Sequence, residues 1–395
     1  MKEGLSHHQR LRALTALLND SSALWRPQPF REARPGWVER WPALAAELLA
    51  LSDDECVHLA DDGRAARALV TRHMPELAGA EEMIAVPQAE LRPLPALGAF
   101  WDWEIPGRKR EQIEAFAAAV APTARPVFDW CGGKGHLARL LALAWGQPAT
   151  TLEINPALCA DGVALAARAG VTHEFIATDA LGETASLPAD AHLVALHACG
   201  GLHRQLLRRA VAAGVAALDL APCCYYHGVE TAYVPLSGAA DLELSRDDLR
   251  LAVTETVTAA PRIARRSARE RAWKLAFVAL RETLTGQAYR TFKPVPRAWM
   301  GSDFAGFCTR MAAREDLCLP AAPDWAEWEA TGWRRQREVE RYAVVRHALR
   351  RPIELWLLSD MAVFLENAGY TVGLSIFCPR RLTPRNLLLS ARSGK

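Results

Sequence analysis

The sequence predicts an α/β fold: a doubly wound, mostly parallel sheet closed by a terminal antiparallel hairpin, with a helical region before it and a helical insertion within it. Three observations carry this. Short apolar runs alternate with helical patterns between Pro126 and Ala221, as a parallel sheet with crossover helices requires. A glycine-rich turn joins the first of those runs to a helix. The chain closes on a helix, a glycine stop and two strand-like runs.

Taken in order, residues 9–73 read as helical, with apolar residues three and four apart in Leu11-Leu14-Leu17-Leu18 and Trp41-Leu44-Leu48-Leu49. Pro27, Pro29 and Pro35 break the pattern between those segments. A proline-containing stretch then leads to Arg108-Lys109-Arg110, which opens a helix running through Phe116. The expected strands are Pro126–Trp130, Ala149–Ile154, His173–Ala177, Leu193–His197 and Val215–Ala221, with helices at Leu137–Ala144, Pro156–Ala169 and Leu202–Ala213. Beyond Gly228 a helix is read around Arg262–Thr283 and another around Trp325, Trp328 and Trp333. A last helix at Ile353–Asn367 stops at Gly369, followed by strands Thr371–Cys378 and Asn386–Ala391 with Pro379–Arg385 as their turn. The expected domains are therefore a helical region over 1–98 and an α/β domain over 99–395, interrupted by a mostly helical insertion at 228–350.

Composition narrows the function classes. The 395 residues exceed what one core usually supports, which fits a main domain with additions. A formal net charge of +2 leaves a polyanionic partner to be recognised by a local patch. Met1–Leu18 lacks the continuous apolar segment of a signal peptide, and no later stretch is apolar for long enough to cross a bilayer. We expect a cytoplasmic protein without membrane contact, its nine cysteines free thiols.

The strongest chemical signal is Asp129-Trp130-Cys131-Gly132-Gly133-Lys134-Gly135-His136, a turn from strand to helix. Glycines let backbone turn tightly and approach a ligand, and the helix start supplies unpaired amides. Glu153 ends the next strand, at the roughly 20-residue spacing from the turn at which an acidic residue accepts from ribose hydroxyls. Asp179 ends the third strand, where a carboxylate can meet an adenine amino group. Gly133-Lys134-Gly135-His136-Leu137-Ala138 also satisfies the dinucleotide pattern G-x-G-x-x-A, so an NAD(P)-binding oxidoreductase is the rival. Asp129 favours a cationic methionine moiety over a pyrophosphate, and the terminal hairpin suits a methyltransferase sheet.

A second constellation joins His197-Ala198-Cys199-Gly200 after the fourth strand to Pro222-Cys223-Cys224-Tyr225-Tyr226-His227 after the fifth. Three readings stand beside one another. The rim could be a substrate pocket, with Tyr225 or Tyr226 on a planar target and His197 as base. It could be a zinc site, although adjacent cysteines and H-x-C are not the usual spacing, and we assign no metal. It could be buried thiols packing under a cofactor. A base is dispensable if alignment alone drives the transfer. A third feature is basic: Arg262, Arg265, Arg266 and Arg269 share one helix face that could bind RNA phosphates or simply face solvent, while the tryptophans nearby read as packing residues.

Four motifs in order, the turn at 129–136, Val194-Ala195-Leu196-His197-Ala198-Cys199-Gly200, Pro222-Cys223-Cys224-Tyr225 and Leu382-Thr383-Pro384-Arg385-Asn386, give the chain a resemblance. It resembles the class I methyltransferase region of the methyltransferase-like 25 proteins and of the glutathione S-transferase C-terminal domain-containing protein. The resemblance implies a Rossmann-like sheet and S-adenosylmethionine as cofactor. It places the cofactor on Asp129, Gly133, Gly135, Glu153 and Asp179, and we count Cys131 in the same turn and His197 on the rim as cofactor-binding candidates beside them. Cys131 stands where many methyltransferases have glycine. No N-P-P-Y motif follows the fourth strand, so adenine amine chemistry has no direct support. The expected function is S-adenosylmethionine-dependent methylation of RNA or of a ribonucleoprotein-associated protein, with His197 and Tyr225 as catalytic candidates. The alternatives are a cofactor-binding adaptor without transfer activity and, behind it, the oxidoreductase.

Overall fold

The computed structural model describes residues 4–98, 101–238, 241–254, 261–291 and 293–394. The expected boundary between residues 98 and 99 adjoins Ala99 and Phe100, which lie outside the described residues. Before the sheet come helices α1 His7–Asp20, α2 Ser22–Trp25, α3 Trp37–Arg40, α4 Pro42–Leu49, α5 Asp53–Asp61, α6 Gly63–Thr71, α7 Ala80–Met83 and α8 Gly107–Ala119. Local chemistry sets their ends. The Ser52 hydroxyl accepts from the Glu55 amide while the Glu55 carboxylate accepts from the Ser52 amide, so α5 begins on a capping box.

The sheet and its helices follow as β1 Val127–Trp130, α9 His136–Trp145, β2 Ala149–Glu153, α10 Pro156–Ala169, β3 His173–Ala177, β4 His192–Cys199, α11 Gly201–Ala213 and β5 Ala217–Cys223. The ends of α10 are those its sequence dictates: the Asn155 side chain accepts the Ala157 amide, Pro156 opens the helix and left-handed Gly170 closes it. Helices α12 Arg246–Leu251, α13 Pro261–Thr285, α14 Phe304–Arg314 and α15 Trp325–Asn367 precede the hairpin β6 Tyr370–Ile376 and β7 Leu387–Ser393.

The described strands form one seven-stranded sheet in the order β3-β2-β1-β4-β5-β7-β6. Strands β1 to β5 pair in parallel, and β7 is antiparallel to both β5 and β6. This is a Rossmann-like sheet, mostly parallel and closed by an antiparallel terminal pair, as expected. Fully buried Asp219 on β5 fixes the register of the hairpin, because its carboxylate accepts from Arg392 at 2.8 Å and meets His192 Nε2 at 2.5 Å. A buried charge without such partners would cost several kcal/mol. One face of the sheet packs Val127, Val194 and Leu388 against Ile113 and Phe116 of α8 and Leu137, Leu140 and Leu141 of α9. Each leucine so buried contributes roughly 1.5–3 kcal/mol.

The chain divides into two compact units, one of residues 1–19, 79–257 and 350–395, the other of residues 20–78 and 258–349. The first holds the whole sheet. In the second, Trp273 and Phe277 of α13 and Phe304, Phe307 and Met311 of α14 form a core on which Trp325 and Trp328 pack. Those two tryptophans are packing residues, as the sequence suggests.

The last helix differs from its expected start at Ile353. It is the C-terminal part of α15, which runs for 43 residues with Pro352 inside it. An internal proline removes one hydrogen bond to the carbonyl four residues back and normally costs about 3 kcal/mol. Here that carbonyl, of Ala348, accepts instead from Arg67 Nη1 at 3.3 Å.

Candidate functional site

In the sheet order, crossovers run one way from β1 through β2 to β3 and the other way from β1 to β4 and β5. The crevice for a ligand therefore opens beyond the carboxyl ends of β1 and β4. The turn after β1 enters it through left-handed backbone at Cys131, φ 60°, Gly133, φ 61°, and Gly135, φ 64°. Close approach fixes the glycine at 135, where a Cβ would lie 2.4 Å from His173 Cε1 and 2.8 Å from Phe175 Cζ. At Gly133 the opposite holds, since nothing lies within 4 Å of the place a Cβ would take. That open backbone, beside the N-terminus of α9, leaves room for a ligand against the main chain.

Glu153 reaches back under this turn. One carboxylate oxygen accepts from the Gly133 amide at 3.1 Å and the other from the Asn155 amide at 3.0 Å. A carboxylate offers about four lone-pair positions, so two remain for hydroxyl donors. Asp179 is exposed at the end of β3 and accepts from the Leu181 amide at 2.9 Å. Glu153, Asp129, Asp179 and Cys199 all lie close enough to Cys131 for their charges to act on its thiol. Burial pushes the Cys131 thiol up to about 12, which makes it a packing group rather than a nucleophile.

Asp129 sits behind the turn. Its side chain is 2% exposed, one oxygen has no hydrogen-bond partner, and a Cβ on Gly132 would fall 2.2 Å from that oxygen. Burial pushes its carboxyl up to about 7, although the Ala138 amide and the Lys109 charge pull the other way. Lys134 is held by Glu104 at 2.8 Å and Asp161 at 2.9 Å. It is thereby committed to carboxylates, which removes the cation a pyrophosphate would want from this turn.

The rim across the crevice is built by an irregularity in β4. The register against β5 shifts between Leu196 and Cys199, and His197 is left-handed with φ 68°. Such a conformation costs on the order of 1–3 kcal/mol in a non-glycine residue and persists where neighbours enforce it. The Gln112 side chain on α8 gives its amide to the Leu382 carbonyl at 3.1 Å and turns its oxygen to His197 Nε2 at 2.9 Å. That oxygen can only accept, so Nε2 carries the proton and Nδ1 the lone pair. Burial first, then Lys109 and Arg385, lowers the His197 pKa, and the ring is neutral at pH 7.

Tyr225 does not fit the role expected of it. It is 1% exposed, gives its hydroxyl to Glu354 at 3.3 Å and packs edge-on to His203. Glu354 also accepts from Arg351 at 2.7 Å, so Tyr225 ties the loop after β5 to α15. The phenol beside it, Tyr226, is half-buried and stacks on His227 with ring centroids 4.4 Å apart. Cys199, Cys223 and Cys224 bring their sulfurs within 4.8 Å of one another. Hydrogen bonds from Cys223 and Cys199 pull the Cys224 thiol well below its usual range, while Cys223 is pushed up.

Gln112, Lys109 and Arg385 complete the site without having been singled out for it. The signal lay in the Arg108-Lys109-Arg110 cluster and in Leu382–Asn386. Arg108 is spent on the Leu382 carbonyl at 2.7 Å and Arg110 on Asp102 and Glu114, so only Lys109 of that cluster acts on the crevice. In the second unit, Arg262, Arg265, Arg266 and Arg269 line, with Trp333, a concave surface of about 950 Å³. Arg269 gives a hydrogen bond to the Met300 carbonyl at 2.7 Å and lies over the Trp273 ring, whereas Arg262, Arg265 and Arg266 are exposed. No described helix is long and apolar enough to cross a membrane.

Residues 108–231 match the family model of a methyltransferase domain, the stretch that runs from α8 through β5 to Thr231 and holds both walls of this crevice. No curated protein sequence matches the chain.

Proposed function

We propose that this chain is an S-adenosylmethionine-dependent methyltransferase of the methyltransferase-like 25 and glutathione S-transferase C-terminal domain-containing type, acting in the cytoplasm on RNA or a ribonucleoprotein-associated protein. The observation that carries the cofactor is Glu153 seated under the left-handed amide of Gly133 at the β1/β4 switch point. Glu153 would accept from the ribose hydroxyls and Asp179 from the adenine amine. The backbone of Cys131, Gly133 and Gly135 would carry the methionine end, with the buried Asp129 carboxyl behind it, a group poised near 7 that a cationic methionine moiety would draw into its ionised form. When bound, the cofactor supplies a sulfonium methyl group that a nucleophile can displace.

His197 is the group suited to the acceptor. Its Nδ1 lone pair can take a proton from the attacking atom, and Gln112 holds the ring in that tautomer. Tyr226, rather than Tyr225, supplies the phenol at the rim. The RNA assignment rests on the concave surface of Arg262, Arg265, Arg266 and Trp333 in the second unit, where guanidinium groups and an aromatic face suit an unpaired strand.

The test is transfer of a tritiated methyl group from S-adenosylmethionine into fractionated RNA and protein from cells lacking the enzyme. Incorporation that falls at least tenfold in His197→Ala, with S-adenosylhomocysteine affinity kept, supports the enzyme. Cofactor binding without incorporation into any fraction would make the chain an adaptor, and saturable NAD binding would return it to the redox reading.

A further inference from the structure

Adjacent residues in an extended strand point to opposite faces, so Cys223 and Cys224 cannot both face Cys199 if β5 simply continues. It does not. Cys224 is left-handed with φ 45°, and the shift in β4 after Leu196 restores register so that Cys199 lies directly opposite Cys223. The glycine after Cys199 locks the arrangement, since the Gly200 amide gives to the Cys223 carbonyl at 3.1 Å and the Gly201 amide to the His227 carbonyl at 2.9 Å. Two irregular backbone positions, each costly alone, thus bring three sulfurs within 4.8 Å of one another, with Cys199 and Cys223 at 3.4 Å.

Three sulfurs bound to one tetrahedral zinc at about 2.3 Å stand roughly 3.8 Å apart, inside the range found here. The donor set holds thiols and no carboxylate, which selects a thiophilic ion over magnesium or calcium. Cys199 and Cys224 are part-exposed, so an ion can enter. We propose that Cys199, Cys223 and Cys224 form a site for a zinc-type divalent cation, bound through three thiolates with the fourth position left to an exchangeable ligand. This is the arrangement of catalytic rather than structural zinc. The unusual sequence spacing is explained by the left-handed Cys224, which substitutes for the usual two-residue separation of ligands. The site stands independently of the methyl-donor reading.

The experiment uses the full chain, purified reduced in the presence of zinc salt and desalted, with metal content measured by mass spectrometry. About one zinc per chain is expected, falling to background in Cys199→Ser and in Cys224→Ser and kept in Cys318→Ser, whose thiol is exposed elsewhere. Cobalt titration of the metal-free chain is expected to give the near-ultraviolet sulfur-to-cobalt absorption of thiolate ligation. Far-ultraviolet circular dichroism and thermal melting report whether each variant stays folded. A reduced, folded chain that takes up neither zinc nor cobalt overturns the proposal, as does zinc retained when all three cysteines are serine. A wild-type chain that holds zinc but does not bind S-adenosylhomocysteine would overturn only the methyl-donor reading.

Discussion

Asp129→Asn removes a buried ionisable group while keeping its shape, and the stability difference between the two proteins is expected to depend on pH. The unfolded carboxyl titrates near 3.8 and the folded one near 7, a separation equivalent to about 4 kcal/mol. Because the folded value is the higher, the contribution is fully present below pH 3.8 and is lost as pH rises toward 7. Between pH 5 and pH 8 the wild-type chain should therefore lose about 2–3 kcal/mol relative to Asp129→Asn. Taking the difference matters, since His136, pushed down to about 3, and His173 and His203, each pushed down to about 4, also titrate on unfolding but do so in both proteins. Urea unfolding followed by tryptophan fluorescence at fixed pH values measures it. Parallel stability curves for the two proteins across that window would refute the burial behind the turn of a carboxyl with one oxygen unpartnered.

Three further outcomes follow. Gly135→Ala should cost at least about 2 kcal/mol and weaken cofactor binding, because the methyl group adds a clash with His173 and Phe175 to the left-handed strain; Gly146→Ala, with φ 65° and open space around it, should cost only about 1 kcal/mol by thermal denaturation. Arg67→Ala leaves the Ala348 carbonyl without the partner that replaces the amide missing at Pro352, and should lower stability by about 1–3 kcal/mol in urea melts; the loss should shrink in a Pro352→Ala background, where the restored amide serves that carbonyl, and an equal loss in both backgrounds would contradict the compensation. Arg265 and Arg266 changed together to alanine should weaken binding to single-stranded RNA and reduce the slope of log affinity against log salt by about 1.4, with an unchanged slope assigning that face to solvent.

Most of the sheet was legible because its signals are local. Gly170 after Arg168-Ala169, and Asn155-Pro156 before an apolar helix, state the limits of α10 by themselves. The Glu153 spacing likewise follows from one strand-turn-helix unit. What could not be read depends on residues distant in sequence. Pro352 looks like a helix boundary until Arg67, far away in the chain, is seen to take up the freed carbonyl. Tyr225 reads as a rim phenol until Glu354 is found to bury it, and the adjacent cysteines read as poor ligands until Cys224 proves left-handed. The sorting of residues 20–78 with 258–349 has the same origin, since no periodicity marks that two segments separated by the sheet share a compact unit.

The claim that the turn at Gly133 holds an adenosyl cofactor rests on Glu153, and calorimetry of S-adenosylhomocysteine on wild-type, Glu153→Gln and Glu153→Ala chains tests it most directly. Two hydrogen bonds to a charged acceptor contribute roughly 1.5–3 kcal/mol each, so the alanine variant should bind about 100-fold more weakly or worse, with glutamine between the two and thermal melting confirming that both remain folded. Wild-type chain that fails to bind the ligand, or equal affinity in wild type and Glu153→Ala, would contradict it.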